Sequence, residues 1–360
     1  MYAKYSLKNI QCFFLLLLSL FAYGEGELKI KLEKIIEIGN SEPIFQRIKA
    51  VSEDSNGNIY ILDGSACKVY KVSPDGKLLL TFGQRGDGPG DMRRPYNLYA
   101  LANGKIVVTE SQFIVSFFDQ SGKFIDRINF QPKLGSLLDI EYVGDNLFYA
   151  IKYTSDGQNK EQIIMDSNGK KFHQVLFSSP SNLVQIPIEN GVQVFGIPFT
   201  ELEPYFIFSH YKNHSAIALS RKYEILILNS QGQMVSKIKQ NIPMKKLSAS
   251  EEMYRDSIVK KKEWPPAVKR KILEVMPDSK NYFYNILMSG SYVFAFITPD
   301  DISKKERIYP VDVFALDGKY VGNIKMDNMP YLISDQFLYI VEDDGVDTYI
   351  IVKYRYRLEK

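Results

Sequence analysis

Cysteine is almost missing from this sequence: two residues in 360, and one of them, Cys12, sits in a leader expected to be removed. Cys67 is then left without a partner, so no intramolecular disulfide can form even in an oxidising compartment, and stability must come from burial. An excess of charge of either sign is missing too. Lys and Arg total 45 against 42 Asp and Glu, a balance too even to suggest nucleic acid or an anionic membrane as the main partner. The apolar run Phe13 to Tyr23 is 11 residues long, against the roughly 20 that a membrane-spanning helix needs. Lys4 and Lys8 precede it, and Ala22-Tyr23-Gly24 puts small residues at the two positions a signal peptidase reads. Residues 1–24 are therefore expected to be a signal peptide cleaved after Gly24. Cys12 lies before the apolar run, the wrong side for a lipid-modified cysteine. The mature chain, 25–360, is expected to be a monomer without membrane insertion, exported to the periplasm or beyond.

Aromatic residues, by contrast, are plentiful, with 24 Tyr and 22 Phe in a chain also rich in Val and Ile, a composition that favours strands. The stretch Ile48 to Ile128 carries one pattern written twice. Ile48 to Gly83 and Pro95 to Ile128 each present an apolar strand start, a turn closing on Gly57 or Gly104, two β-rich strands, a Gly-Lys turn and a fourth strand. A four-stranded unit of this kind cannot bury both of its faces alone, so its repetition implies sheets arranged around an axis.

The Gly-Lys turn serves as a ruler, because a tight hairpin needs glycine at its left-handed position. It recurs at Gly76, Gly122, Gly169, Gly232 and Gly318, spaced by 46, 47, 63 and 86 residues. The third gap is read as extra loop around Ser178 to Pro204. The fourth holds a segment of different character, 247–280, where Ser248 and Glu251 form a capping box, SASEEMYRDSIVKKK reads as a helix, Pro265-Pro266 interrupts, and Ala267 to Met276 gives a second short helix before Pro277. After Pro330 only three strands remain, while Leu28 to Ile38 is a strand with no partner nearby. It supplies the missing fourth, and a ring so closed has no open edges there. The expected fold is all-β: a six-bladed β-propeller of four-stranded antiparallel blades, closed by the N-terminal strand, with a helical insertion between blades four and five.

The run Gly86-x-Gly88-Pro-Gly90, Pro95, Asn103-Gly104-Lys-Ile-Val-Val, together with Asn56-Gly-Asn58-Ile-Tyr-Ile-Leu-Asp63 in the first copy, resembles the NHL repeat of exported bacterial six-bladed propellers. The resemblance covers Ile48 to Ile128. It implies an architecture used mainly to bind proteins or small ligands at one mouth of the ring, and by a minority of members for catalysis; the fold by itself does not choose.

Candidate chemistry is sparse. Arg85-Gly86-Asp87 spells an adhesion tripeptide but lies in a glycine-rich connection already explained by its turns, and with Pro89 and no following helix it is not a phosphate cradle. His210 and His214 flank a hairpin tip where two imidazoles and a third ligand could hold zinc, as in amidating lyases of NHL-like form; His173 is read into an outer strand. Some six-bladed hydrolases and lactonases that resemble this ring hold calcium centrally, for which Asp139, Glu141, Asn97 and Asn285 are the available oxygen ligands. No cofactor is predicted, with calcium or zinc as the alternatives to be tested. Cys67 is expected to pack as a small buried residue.

The starts of the inner strands carry Arg47, Lys49, Tyr96, Asn97, Asp139, Glu141, Tyr284, Asn285 and Tyr331, an amphipathic set of the kind found at recognition surfaces. The insertion, with Lys260 to Lys262, Lys269 to Lys271 and the single Trp264, either covers one mouth of the ring, presents a docking face, or is a solvated helical pair packed over its tryptophan. The expected function is a non-enzymatic binding module for a protein, peptide or glycan at the mouth near the insertion. The alternatives are a metal-assisted hydrolase or lyase in the channel, marked by three or more converging ligands, and a structural role through the outer blade edges.

Overall fold

Alternation along single strands sets the architecture. In Ile59–Asp63 every residue is buried; Ile59 and Ile61 join one apolar cluster and Tyr60 and Leu62 another. A strand apolar on both faces must lie in a sheet sandwiched between two others. The computed structural model describes residues 28–40, 42–111, 113–130, 137–171, 175–180, 183–188, 191–196, 202–343 and 348–360, so the leader expected over residues 1–24 lies outside the described residues.

Strand β1 (Lys29–Ile38) opens the chain. The first blade is β2 (Ile48–Glu53), β3 (Ile59–Asp63), β4 (Lys68–Val72) and β5 (Leu78–Phe82), and the second is β6 (Pro95–Ala100), β7 (Ile106–Glu110), β8 (Ile114–Phe118) and β9 (Phe124–Asn129). The third is β10 (Leu137–Gly144), β11 (Leu147–Tyr153), β12 (Asn159–Asp166) and β13 (Phe177–Pro180). A separate hairpin follows, β14 (Leu183–Ile188) with β15 (Gly191–Gly196). The fourth blade is β16 (Phe206–Tyr211), β17 (His214–Leu219), β18 (Glu224–Asn229) and β19 (Met234–Lys239). After helices α1 (Ala249–Lys261) and α2 (Pro266–Val275) comes the fifth: β20 (Phe283–Met288), β21 (Tyr292–Ile297), β22 (Tyr309–Ala315) and β23 (Tyr320–Met326). The last blade is β24 (Leu332–Ile333), β25 (Phe337–Asp343) and β26 (Tyr349–Glu359), with β1 as its outermost strand, paired antiparallel from Lys29 opposite Glu359 to Ile38 opposite Ile351. These are six four-stranded antiparallel blades closed by the N-terminal strand.

The ruler glycines all hold positive φ, between +71° and +92°, and each donates its N–H to the carbonyl three residues back, at Ser73, Asp119, Asp166, Asn229 and Ala315. The third gap differs from a plain loop: Ser178 to Pro180 belong to the outer strand of blade three, and β14 and β15 occupy much of the rest. No ruler turn marks that hairpin, so it was not visible as a unit. His173 lies outside the described residues.

The core sits between blades. One cluster joins Tyr60, Leu62 and Val69 of the first blade to Leu98, Ile106 and Phe118 of the second, and Cys67 is fully buried in it. Another joins Val107 and Phe117 to Ile140 and Phe148. Polar ties recur at equivalent stations. Asp63, at the end of β3, accepts from the backbone N–H groups of Gln46 (2.7 Å), Arg47 (3.3 Å), Ser65 (2.9 Å) and Ala66 (3.0 Å). Glu110 takes the same role at the end of β7, accepting from Arg93 N at 2.7 Å, and Ser220 does so after β17, from Tyr205 N at 3.0 Å. The adhesion-like tripeptide is likewise engaged in the fold: Arg85 donates to Ser65 O at 3.0 Å and Asp87 pairs with Arg93.

The insertion has its own small core, in which Val259, Val268, Ile272 and Met276 meet Leu202 and Ile302, with Trp264 packed at the edge. Ser248 and Glu251 close the capping box. The buried Glu251 carboxylate also accepts from Lys280 Nζ at 2.8 Å and Ile302 N at 3.0 Å, while Lys280 donates to Asp300 O at 2.6 Å. Burial alone would raise the Glu251 carboxyl, but the Lys280 bond and the backbone donors hold it below its ordinary range. The insertion leads into the start of β20, and Ile302 lies in the β21–β22 connection, so both stand at the end of the ring where inner strands begin. Asp63→Ala strands four amide donors and is expected to cost about 3 kcal/mol, with Asp63→Asn costing less; urea unfolding of both variants checks this, and an unchanged midpoint for the alanine variant would remove the role assigned to Asp63.

Candidate functional site

Four inner strands carry a bulge at their second residue. The register shifts between Ile48 and Ala50, Pro95 and Asn97, Leu137 and Asp139, and Phe283 and Asn285, leaving Lys49, Tyr96, Leu138 and Tyr284 as the extra residues. The next residue caps the amide exposed by the bulge. Asn97 Oδ1 accepts from Leu98 N at 2.9 Å, Asp139 Oδ1 from Ile140 N at 2.9 Å and Asn285 Oδ1 from Ile286 N at 2.8 Å. Three of the sequence-nominated residues thus occupy one repeated station with a backbone task.

Of the nine nominated residues, the structure brings four together at the junction of blades two and three. The Tyr96 hydroxyl lies 2.9 Å from Asp139 Oδ1 and 2.6 Å from Ile140 O. The buried Glu141 accepts from Asn97 Nδ2 at 3.0 Å and from the hydroxyls of Tyr99 at 2.6 Å and Thr109 at 3.3 Å. Burial, and after it the charge of Asp139, lift Glu141 to about 8 despite those donors. Sequence reasoning missed Tyr99 and Thr109. Tyr99 alternates with Asn97 on one strand face, which was a usable signal; Thr109 comes from the second strand of the blade and carried none.

The other five separate. Asn285 donates to Met329 Sδ at 3.3 Å. The stem of Lys49 covers Gly64, where an added Cβ would lie 2.5 Å from Lys49 Cγ. Arg47 neighbours Tyr331, whose hydroxyl is raised by burial and by Tyr349 and partly relieved by Arg47. Tyr331 is 42% exposed and lines a central cavity of about 120 Å³ with Ser52, Tyr99, His210 and Met288. Lys212 and Asp335, 2.5 Å apart, join the β16–β17 and β24–β25 turns beside that cavity. Gly290 makes room for the pair, since a Cβ there would fall 2.1 Å from Asp335 Oδ1.

His210 and His214 belong to successive cross-strand pairs, His210 with Ser215 and His214 with Tyr211, and so project from opposite faces of their hairpin. His210 Nδ1 lies 2.9 Å from Ser215 Oγ, its ring meets Tyr99 edge-on at 5.5 Å, and Nε2 is buried with no hydrogen-bond partner among the described residues. Burial lowers this imidazole to about 4. Among the described residues no three His, Cys, Asp or Glu side chains gather so as to hold a metal ion.

The remaining nominated residue, Tyr284, opens a different site. Its bulge throws the ring toward Tyr309, 5.1 Å away and tilted by 48°, and Arg307 stands 5.9 Å from the Tyr284 ring. With Tyr254 of α1, Ser303, Lys304 and Lys305 they line an open depression of about 490 Å³ between the insertion and blade five. The loop wall is shaped by its own bonds: Arg307 Nη2 donates to Ile302 O at 2.9 Å and Nε to Lys304 O at 3.2 Å, and Asp301 Oδ1 accepts from Ser303 N at 3.0 Å.

No protein-family model and no curated protein matches this sequence. Solved structures do. A protein of Bacteroides fragilis described as a candidate exported protein is 10% identical with a TM-score of 0.54, over 94% of this chain and 98% of that one. A member of the DUF4221 family from Bacteroides vulgatus is 14% identical with a TM-score of 0.56, over 94% of this chain and all of that one. The likeness is one of fold. Streptogramin B lyase aligns at a TM-score of 0.40 and 11% identity, too low to carry an argument.

The buried pair in the channel generates a pH test. Glu141 ionises at about 8 in the fold against an ordinary 4.5, so unfolding releases a proton between those values and stability falls as pH rises through the window. His210, at about 4 against 6.5, acts oppositely, with stability lost as pH falls from 6.5 toward 4. From pH 6.5 to 8 the Glu141 slope therefore stands without opposition from His210. Thermal unfolding of the wild type is expected to show a falling melting temperature over that interval, and Glu141→Gln a clearly smaller fall; equal slopes would show that Glu141 is not the group responsible.

Proposed function

We propose that this chain is an exported, NHL-like β-propeller that binds a protein, peptide or glycan partner, without catalysing a reaction, at the ring mouth beside the helical insertion. One observation carries the reading: the depression where Tyr284 and Tyr309 form an aromatic floor between α1 and the Ser303–Arg307 loop. Aromatic residues with a polar rim give large contact area at low conformational cost. The channel supports it by contrast. There the nominated polar groups satisfy one another or the backbone, as Glu141 does with three donors, which is how a structural junction is built. Export is supported by the leader pattern at 1–24 and by the likeness to the Bacteroides fragilis protein described as a candidate exported one. No helix among the described residues is long and apolar enough to cross a membrane.

The test is retention on glycan and peptide arrays of residues 25–360, as wild type and as Tyr284→Ala/Tyr309→Ala, with far-ultraviolet circular dichroism to confirm that both fold. Wild type is expected to retain defined array members, and the variant to lose about tenfold or more in affinity for them, equivalent to about 1.4 kcal/mol. Retention indifferent to the substitution, or none at all, would overturn the reading.

A further inference from the structure

We infer that the occupant of this depression is a carboxylate-bearing saccharide chain, an inference that rests on the binding reading above and adds the ligand class. The argument begins with charge. Lys304, Lys305 and Arg307 line the depression and no acidic side chain does. Among the described residues Lys304 and Lys305 enter no ion pair, and both are exposed. Of the carboxylates near it, Asp300 pairs with Lys245 at 2.8 Å, Asp301 accepts from Ser303 and Glu251 is paired with Lys280, while Glu306 and Asp327 lie toward the adjoining depression. Asp301 is held below its ordinary range first by Ser303 and in smaller part by the Lys304 charge, yet the lining itself carries three cationic side chains and no carboxylate, which favours an anionic ligand in encounter and in register.

Shape separates a saccharide from an acidic peptide. Peptides are usually taken by an unpaired strand edge or by apolar sockets for alternate side chains. Here the floor is two phenol rings tilted by 48°, one of them faced by the Arg307 guanidinium, and not a row of apolar sockets. Aromatic rings set beside cationic side chains suit a pyranose that carries a carboxylate, the rings supplying flat apolar area and the cations pairing with the acid. The depression continues into a second one of about 690 Å³ that shares Lys305, Arg307 and Tyr309, enough length for several sugar units. Glu306 and Asp327 line only that second part, which puts the ligand carboxylate over Lys304 and Lys305.

The experiment is isothermal titration of residues 25–360 with a galacturonate trimer, with the neutral galactose trimer and with a hexaglutamate peptide, repeated on Lys304→Ala/Lys305→Ala and on Tyr284→Ala. The uronate trimer is expected to bind, to weaken as salt rises from about 20 mM to about 200 mM, and to lose about tenfold in either variant, while the neutral trimer binds at least tenfold more weakly throughout. Equal binding of the neutral trimer, lost only in Tyr284→Ala, would overturn the charge inference and leave the binding site standing. Preferential binding of hexaglutamate would overturn it in favour of a protein partner. Uronate binding indifferent to both variants, or no binding of any probe, also overturns it, and the arrays then decide separately whether the depression binds anything.

Discussion

Closing the ring is the constraint on which the rest of this structure depends. Each blade is apolar on both faces, so each needs two neighbours, and an open row of six would leave two bare faces and the edges of its terminal sheet unpaired. Pairing β1 with β26 joins Lys29 to Glu359, across nearly the whole chain, and makes the last blade depend on the first strand. The entropy of closing so long a loop grows only slowly with its length, whereas the apolar surface covered grows with every blade. That asymmetry lets a chain whose one described cysteine, Cys67, is free hold this form by burial.

Within the ring, polar groups are placed where the backbone would otherwise be left unpaired. A bulge at the second residue of an inner strand re-aims one side chain and exposes one amide, and Asn97, Asp139 and Asn285 answer that amide in three blades. Asp63, Glu110 and Ser220 do the same for the entry to the inner strand. Elsewhere the inner strands tie to one another, Ala100 N to Ser52 Oγ at 2.9 Å and Met288 N to Ser209 Oγ at 3.0 Å. A set of residues that looks functional by type is largely structural by position, and its polarity is consumed inside the fold.

The mouth beside the insertion differs because its parts come from elements with other work to do. Glu251 and Lys280 bind the insertion to the β21–β22 connection in a buried, fully bonded pair, a kind of contact whose value lies in fixing geometry more than in net stability. Loop 302–307 is then curled by Arg307 onto its own carbonyls. What remains outside is an aromatic floor with two lysines that enter no described ion pair.

Blade number, the hairpin turns at Gly76, Gly122, Gly169, Gly232 and Gly318, the capping box at Ser248 and the closing role of Leu28 to Ile38 were all determined by the sequence alone. Each is a local rule or a count of repeats: a left-handed turn position that glycine fills, a hydroxyl and a carboxylate three residues apart, a strand left over at one end and a strand missing at the other. The site was only half legible. Type and strand order placed Tyr96, Asn97, Asp139 and Glu141 among nine inner-strand residues, but only packing showed that these four face one another and are satisfied. Tyr284 was visible and its partners were not, since Tyr254, Lys304, Lys305 and Tyr309 lie in α1, a loop and a third strand with no common period. Histidines 210 and 214 looked like a pair by spacing, yet strand alternation puts them on opposite faces. Which side chains share a space depends on how blades twist and stack, and that is settled by burial across the whole ring, which no short window of sequence records.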